Sequence, residues 1–278
     1  MTGPLVNIFS DYSGEHKKST YHVTSILYMD MESFSSWEPL RRTIRKNHLA
    51  DGRRLSFKSL GDRHKQRALV PFLNAANQIE GLCITIAIKK SLKALCAGEE
   101  SFTLFQDNLN FESAWQQNSF EKMLRVAHFI SLFVAGLSKP SQHIYWISDE
   151  DSLFANLKKA QDLKQMLSRF TSYYVKHPLG ELGIGTTSLD EGDRFEEDLA
   201  AIPDLAAGAV SELLTKLCAS YGGIIHPSIV IPFSGTFSPK TELLISWLGD
   251  RSQRLKKVVI LFEKQGNGSF SVSRLNMP

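Results

Sequence analysis

Asp11, Asp149 and Asp204 are the residues whose types and positions invite chemistry. Asp11 closes an apolar, β-prone run over residues 5–10 and precedes the turn signal Ser13-Gly14. Asp149 follows the strand-like run HIYWIS. Asp204 stands in PDLAAGA, where Pro203 suits the first helical position and puts the acid in the first turn of a late helix. With the first and fourth strands adjacent and parallel, Asp11 and Asp149 emerge side by side, and the late helix can bring Asp204 to face them. Three carboxylates in one place repel each other unless cations occupy it, and hard oxygen donors suit Mg²⁺ or Mn²⁺. Two such ions, about 3.5–4 Å apart, clamp a scissile phosphate, one activating water and the other stabilising the leaving oxygen. That chemistry is phosphodiester hydrolysis. Each acid also has a structural use: Asp11 as a turn residue, Asp149 as a helix cap and Asp204 as a partner of the helix dipole.

The elements that must position these acids are legible as patterns. The run over residues 5–10 and the alternating TYHVTSILYM, joined by SGEHKKS, read as two adjacent antiparallel strands. SSWEPLRRTIRKNH reads as a serine-capped helix with Trp37, Leu40 and Ile44 on one face. A second helix follows in RHKQRALVPFLNAANQ, bent or interrupted at Pro71, and LCITIAIKK is a third strand. Residues 91–138 read as mostly helical, HIYWIS as the fourth strand, LFANLKKAQDLKQMLSRF as a helix, and TSYYVKH or ELGIGTTS as a fifth strand. A helix near KTELLISWLGD and a final hairpin turning at Gly266-Asn267-Gly268 close the chain. No repeat or linker divides the sequence. The reading is one elaborated α/β (mixed α+β) domain over 1–278, a mixed sheet flanked by helices with a helical insert, a core over about 5–215 and a C-terminal extension.

Composition sets the bounds. The 278 residues are 42% hydrophobic and 22% charged, which is enough apolar side chain to fold and too much for wholesale disorder. A net charge of +3 does not by itself identify a nucleic-acid binder, but basic clusters do exist. They are Arg41, Arg42, Arg45 and Lys46 on the first helix, then Arg53, Arg54 and Lys58, then Arg63, His64, Lys65 and Arg67. Of these, Arg41, Arg45, Arg53, Arg54 and Arg63 are the candidate contacts to a nucleic-acid backbone; a solvated helix face is the alternative use of the first set. Lys58, after Phe57 in LSFKSL, is the candidate contact to a phosphate or to the attacking water. Cys83, Cys96 and Cys218 show neither disulfide nor zinc spacing. The absence of a basic, apolar leader and of a membrane-length apolar run points to a soluble cytoplasmic protein.

The same residues resemble a family of uncharacterised bacterial proteins with a ribonuclease H-like fold, whose first strand ends in Asp-Glu-Ser-Gly. Here that motif stands as Asp11-Tyr12-Ser13-Gly14, and the resemblance extends over residues 5–215 to Lys58, to the acids of YWISDED and to PDLAAGA. It implies a ribonuclease H-like sheet with metal-binding acids at Asp11, Asp149 and Asp204. Tyr12 replaces the family's glutamate, a place that Glu15, Asp151 or Glu121 would have to fill, with Asp151 the further metal ligand. It also implies a bacterial or phage setting, with mobile elements or phage defence as contexts.

Other devices fail. GIGTTS lacks the lysine of a phosphate-binding loop, no GxGxxG follows a strand, and DYSGEH lacks the second glycine of a nucleophile elbow. His16 and His226 are the only histidines weighed as a proton shuttle or ligand. Two readings remain: a Mg²⁺- or Mn²⁺-dependent nuclease or phosphoryl-transfer enzyme using Asp11, Asp149, Asp204 and Lys58, and a catalytically silent module of the same fold that binds nucleic acid or a partner protein. A homo-oligomer fits either.

Overall fold

The computed structural model describes residues 4–50, 52, 54–92, 103–104, 108–149, 153–187, 192–220, 237–264 and 269–277. The strands are β1 (Leu5–Ser13), β2 (Tyr21–Asp30), β3 (Gly81–Lys89), β4 (His143–Ser148), β5 (Leu182–Thr186), β6 (Leu255–Lys264) and β7 (Phe270–Arg274). They form a seven-stranded sheet in the order β5-β4-β1-β2-β3-β6-β7. Pairing is mixed: β2 with β3 and β6 with β7 are antiparallel, whereas β3 with β6 and β4 with β5 are parallel. The described helices are α1 (Phe34–His48), α2 (Arg63–Ala76), α3 (Gln117–Leu137), α4 (Leu157–Tyr174), α5 (Phe195–Ser220) and α6 (Pro239–Gly249), with a short 3₁₀ turn at Lys58–Gly61. The fold is a mixed α/β architecture, a mixed sheet flanked by helices.

The chain divides into two compact units. In the unit formed by residues 8–92 and 192–278, β2 and β3 run from Tyr21 opposite Lys89 to Met29 opposite Gly81, and α5 packs on both strands. The buried side of α5 is rich in alanine (Ala200, Ala201, Ala206, Ala209), so the helix backbone comes close to the sheet. Trp37 of α1 meets Phe72 of α2 edge to face, 5.5 Å between ring centres, which locks those two helices together.

The other unit, residues 1–7 and 93–191, holds α3, α4, β4 and β5. Ser131 of α3 hydrogen-bonds to Thr171 of α4 at 3.1 Å in a buried contact. Asp162 of α4 is buried and accepts from the backbone N–H groups of Glu112 and Ser113 and from Trp115 Nε1, which holds the segment before α3 onto α4.

Several boundaries differ from the sequence reading. β1 continues to Ser13, so Asp11 lies within the strand and not after it. TSYYVKH belongs mostly to the end of α4, and ELGIGTTS supplies β5. α2 runs through Pro71, and α1 begins at Phe34, which places Ser35 and Ser36 inside its first turn. α5 starts at Phe195, eight residues before Pro203, because Glu196, Glu197 and Asp198 complement the positive end of the helix and the buried Leu199–Ile202 stretch extends its apolar face. Asp204 is therefore an interior helix residue, and stabilisation by the dipole does not explain it.

Candidate functional site

Asp204 is brought to the LSFKSL segment. Its Oδ2 accepts the backbone N–H of Phe57 at 2.6 Å, across 147 residues of sequence. Gly208, one helical turn beyond Asp204 on α5, makes this approach possible: a β-carbon there would overlap the Phe57 ring. The carbonyl of Phe57 accepts from Lys240 Nζ at 3.3 Å, and the same ammonium lies 4.4 Å from the centre of the Phe57 ring. Lys58, the next residue, is exposed at the start of the 3₁₀ turn. Asp204 is half-buried, and Oδ1 has no hydrogen-bond partner among the described residues. A half-buried carboxylate with one oxygen fixed is thus linked through the Phe57 backbone to Lys240 and to the segment that carries Lys58.

Sequence reasoning found Asp204 and Lys58 but not Lys240. Nothing local in SPKTELL distinguishes Lys240 from an ordinary helix-start lysine; only the fold reveals that Phe57 joins it to Asp204.

Asp11 faces differently from a bare strand-end ligand. Its Oδ1 accepts the backbone N–H of Tyr12 at 2.6 Å, and the Tyr12 hydroxyl hydrogen-bonds to Ser10 Oγ at 2.8 Å. Gly14 ends the strand in a left-handed conformation (φ 83°), where a β-carbon would overlap the Tyr21 carbonyl oxygen. Glu15 is exposed and lies 3.7 Å from His22 Nδ1, and His16 is exposed.

In the other unit, Asp149 follows β4 directly, and its Oδ1 accepts from the buried Thr187 hydroxyl at 3.0 Å. Glu121 lies on α3, and its Oε1 is buried without a hydrogen-bond partner among the described residues. Asp151, with Glu150, lies outside the described residues, as do Arg53, Cys96, His226 and the Gly266-Asn267-Gly268 turn.

Aspartate oxygens are the right donors for Mg²⁺ or Mn²⁺, and Asp204 offers an open one. However, no group of three or more His, Cys, Asp or Glu side chains is placed to hold a metal ion among the described residues. The described donor set does not fit the expected two-ion clamp, and no chemical step is derived through a metal here.

The basic helix face is corrected at Arg41. Its side chain is 1% exposed, and the guanidinium hydrogen-bonds to Glu38, to the Asp193 carboxylate and carbonyl, and to Asp198. Burial pulls Arg41 down, but the hydrogen bonds to Glu38, Asp198 and Asp193 outweigh it and hold the group above its ordinary pKa. A guanidinium so enclosed has no donor to offer a nucleic-acid backbone. Arg45 is largely engaged as well, with two hydrogen bonds to Asp198 at 2.9 and 2.6 Å. Helical periodicity turned these two residues inward, against the acids that begin α5. Arg42 and Arg63 are exposed and Arg54 is half-buried. Arg42, Arg45, Lys46 and Arg194 line a groove of about 420 Å³ in this unit.

No protein-family model and no curated protein matches the chain. Among solved structures, a ribonuclease H2 from Pyrococcus horikoshii OT3 aligns at 11% identity over 88% of this chain and 85% of its own, with a TM-score of 0.40. The ribonuclease HII of Archaeoglobus fulgidus, solved in complex with PCNA, aligns at 14% identity over 88% of each chain, with a TM-score of 0.37. At this level the likeness transfers neither a site nor a substrate, and the functional reading rests on the residues of this chain.

Proposed function

We propose that the protein is a nucleic-acid phosphodiester hydrolase of ribonuclease H-like fold, with Asp204 as its central carboxylate. The observation that carries this reading is the Phe57–Asp204 hydrogen bond, which fixes a half-buried acid on the segment that carries the exposed Lys58. Asp204 would orient the attacking water through its open oxygen, and Lys58 would neutralise the phosphate under attack. Asp11, Asp149 and Asp151 are the further acids that the resemblance implies for this reading. Arg54 and Arg63 are its backbone contacts, together with Arg53. Mg²⁺ or Mn²⁺ is the cofactor that the resemblance implies, and no step of this reading is routed through it, because the described donors form no clamp. The test is incubation of the purified protein with end-labelled single- and double-stranded DNA and RNA in Mn²⁺. Cleavage of at least one substrate is expected; intact substrates in all four reactions contradict the reading.

A second reading is favoured by a specific observation. Tyr12 stands where the resembled family carries an acid, its hydroxyl is bonded to Ser10, and no three-carboxylate group forms among the described residues. On this reading the fold binds nucleic acid or a partner protein without cleaving anything. A thermal midpoint unmoved by Mn²⁺, together with nucleic-acid binding and no cleavage, is its signature.

A further inference from the structure

Lys240 is a half-buried ammonium with no acidic counterion among the described residues. Its two contacts are the Phe57 carbonyl, at 3.3 Å, and the Phe57 ring face, 4.4 Å to the centre. Both are weak, uncharged acceptors, and neither neutralises it. The buried Lys257 of this unit also has only neutral contacts among the described residues, Asn77 Oδ1 and the Trp247 ring, but its burial closes it to a ligand; the remaining examples have carboxylates. Arg41 has three carboxylates, and Arg45 has Asp198. Lys216, on α5, pairs with Glu212 at 2.9 Å.

The lysine is also held in place. Phe57 donates its N–H to Asp204 and accepts from Lys240 through its C=O, so one residue's backbone fixes the acid and the ammonium. The Phe57 ring cannot move toward α5 because it already fills the space above Gly208. Lys240 sits in the first turn of α6, directly after Pro239, where the Thr241 and Glu242 N–H groups donate to the Ser238 carbonyl. An ammonium has three donors, and one is used by the carbonyl.

We infer that Lys240 is an anion-binding residue of the Asp204 site, and that it takes a non-bridging oxygen of a nucleic-acid backbone phosphate. The inference rests on the reading of Asp204 as a nucleic-acid site and adds to it a second cation from a distant helix. Lys58, next to Phe57 in sequence, and Lys240, bonded to the Phe57 carbonyl, then both contact the backbone. Recognition is by charge, so it is the same for every base.

The experiment is fluorescence anisotropy of labelled 20-nucleotide single strands of DNA and RNA, without added divalent metal, over a range of salt concentrations. Wild type is compared with Lys240→Met, which keeps the stem over Phe57, and with Lys240→Arg, which keeps the charge. The expected result for Lys240→Met is binding about tenfold weaker, the worth of one hydrogen bond to a charged group, with the salt slope smaller by about one. Lys240→Arg should stay near wild type in both. Wild-type affinity and slope in Lys240→Met would overturn the inference while leaving the Asp204 reading to its own cleavage assay. No binding by wild type to either strand would overturn the inference as well, and absence of cleavage in the same preparation would take the Asp204 reading with it.

Discussion

Arg41 and Asp198, 157 residues apart, form a buried ion pair at 3.0 Å that joins α1 to the first turn of α5. Asp198 is shared with Arg45, and Arg41 is shared with Glu38 and Asp193, so five charged side chains are joined in one network. Replacing Arg41 by Met removes the central cation and leaves enclosed acids short of donors. The expected loss is about 3 kcal/mol of unfolding free energy, measured by urea denaturation at pH 7.

The same network makes a pH prediction. Hydrogen bonds from Arg41, then from Arg42, hold Glu38 below its ordinary value of 4.5, against the opposing effect of burial. A depressed carboxylate contributes stability that is fully present above about pH 4.5 and is lost as pH falls through its folded value. Wild type should therefore lose stability on acidification from pH 5 to 3, and Arg41→Met should lose less over that window. Equal acid slopes in the two proteins would exclude Glu38 as a contributor.

Gly208 tests the contact that positions the candidate site. Alanine is favoured over glycine within a helix by about 1 kcal/mol, so on propensity alone Gly208→Ala should stabilise α5. The added β-carbon overlaps the Phe57 ring, and overpacking of this kind costs about 1–3 kcal/mol. The account predicts a lowered thermal midpoint, together with loss of any activity that depends on Asp204, because the displaced Phe57 no longer donates to it.

Lys257 offers a contrast in sign. It is buried, its ammonium donates to Asn77 Oδ1 at 2.9 Å and lies over Trp247, and desolvation lowers its pKa. A lysine with a lowered folded pKa disfavours the native state at neutral pH, and that penalty is relieved as pH rises past the folded value. Trp247 Nε1 also donates to Asn77 Oδ1, at 2.8 Å, so removing Lys257 leaves that acceptor satisfied. Lys257→Met is expected to hold or raise the thermal midpoint at pH 7; a drop of several degrees would contradict this.

Much of the sheet was legible because its strands are short apolar runs between turn residues. HIYWIS corresponds to β4 residue for residue, and LCITIAIKK misses β3 by one position at each end. The start of α5 was misjudged because Pro203 resembles a helix opening, whereas the acids at 196–198 open it eight residues earlier. Asp204 was legible as a candidate, but its tie to Phe57 was not: no local pattern signals that a backbone N–H will meet a carboxylate across 147 residues. Arg41 was misjudged as surface charge for a related reason. Its burial is decided by acids at 193 and 198 that a single helix's periodicity does not contain.

The most direct test of the central claim is cleavage by wild type, Asp204→Asn and the control Asp250→Asn, on whichever labelled strand wild type cuts, with thermal midpoints measured alongside. Asp204→Asn keeps an oxygen that can accept from Phe57, so the fold should survive, whereas Asp250 hydrogen-bonds to Ser252 and Gln253 near α6. The account predicts at least hundredfold-slower cleavage, on the order of a lost catalytic group, for Asp204→Asn alone, with a wild-type midpoint. Cleavage by Asp204→Asn at the wild-type rate would contradict it.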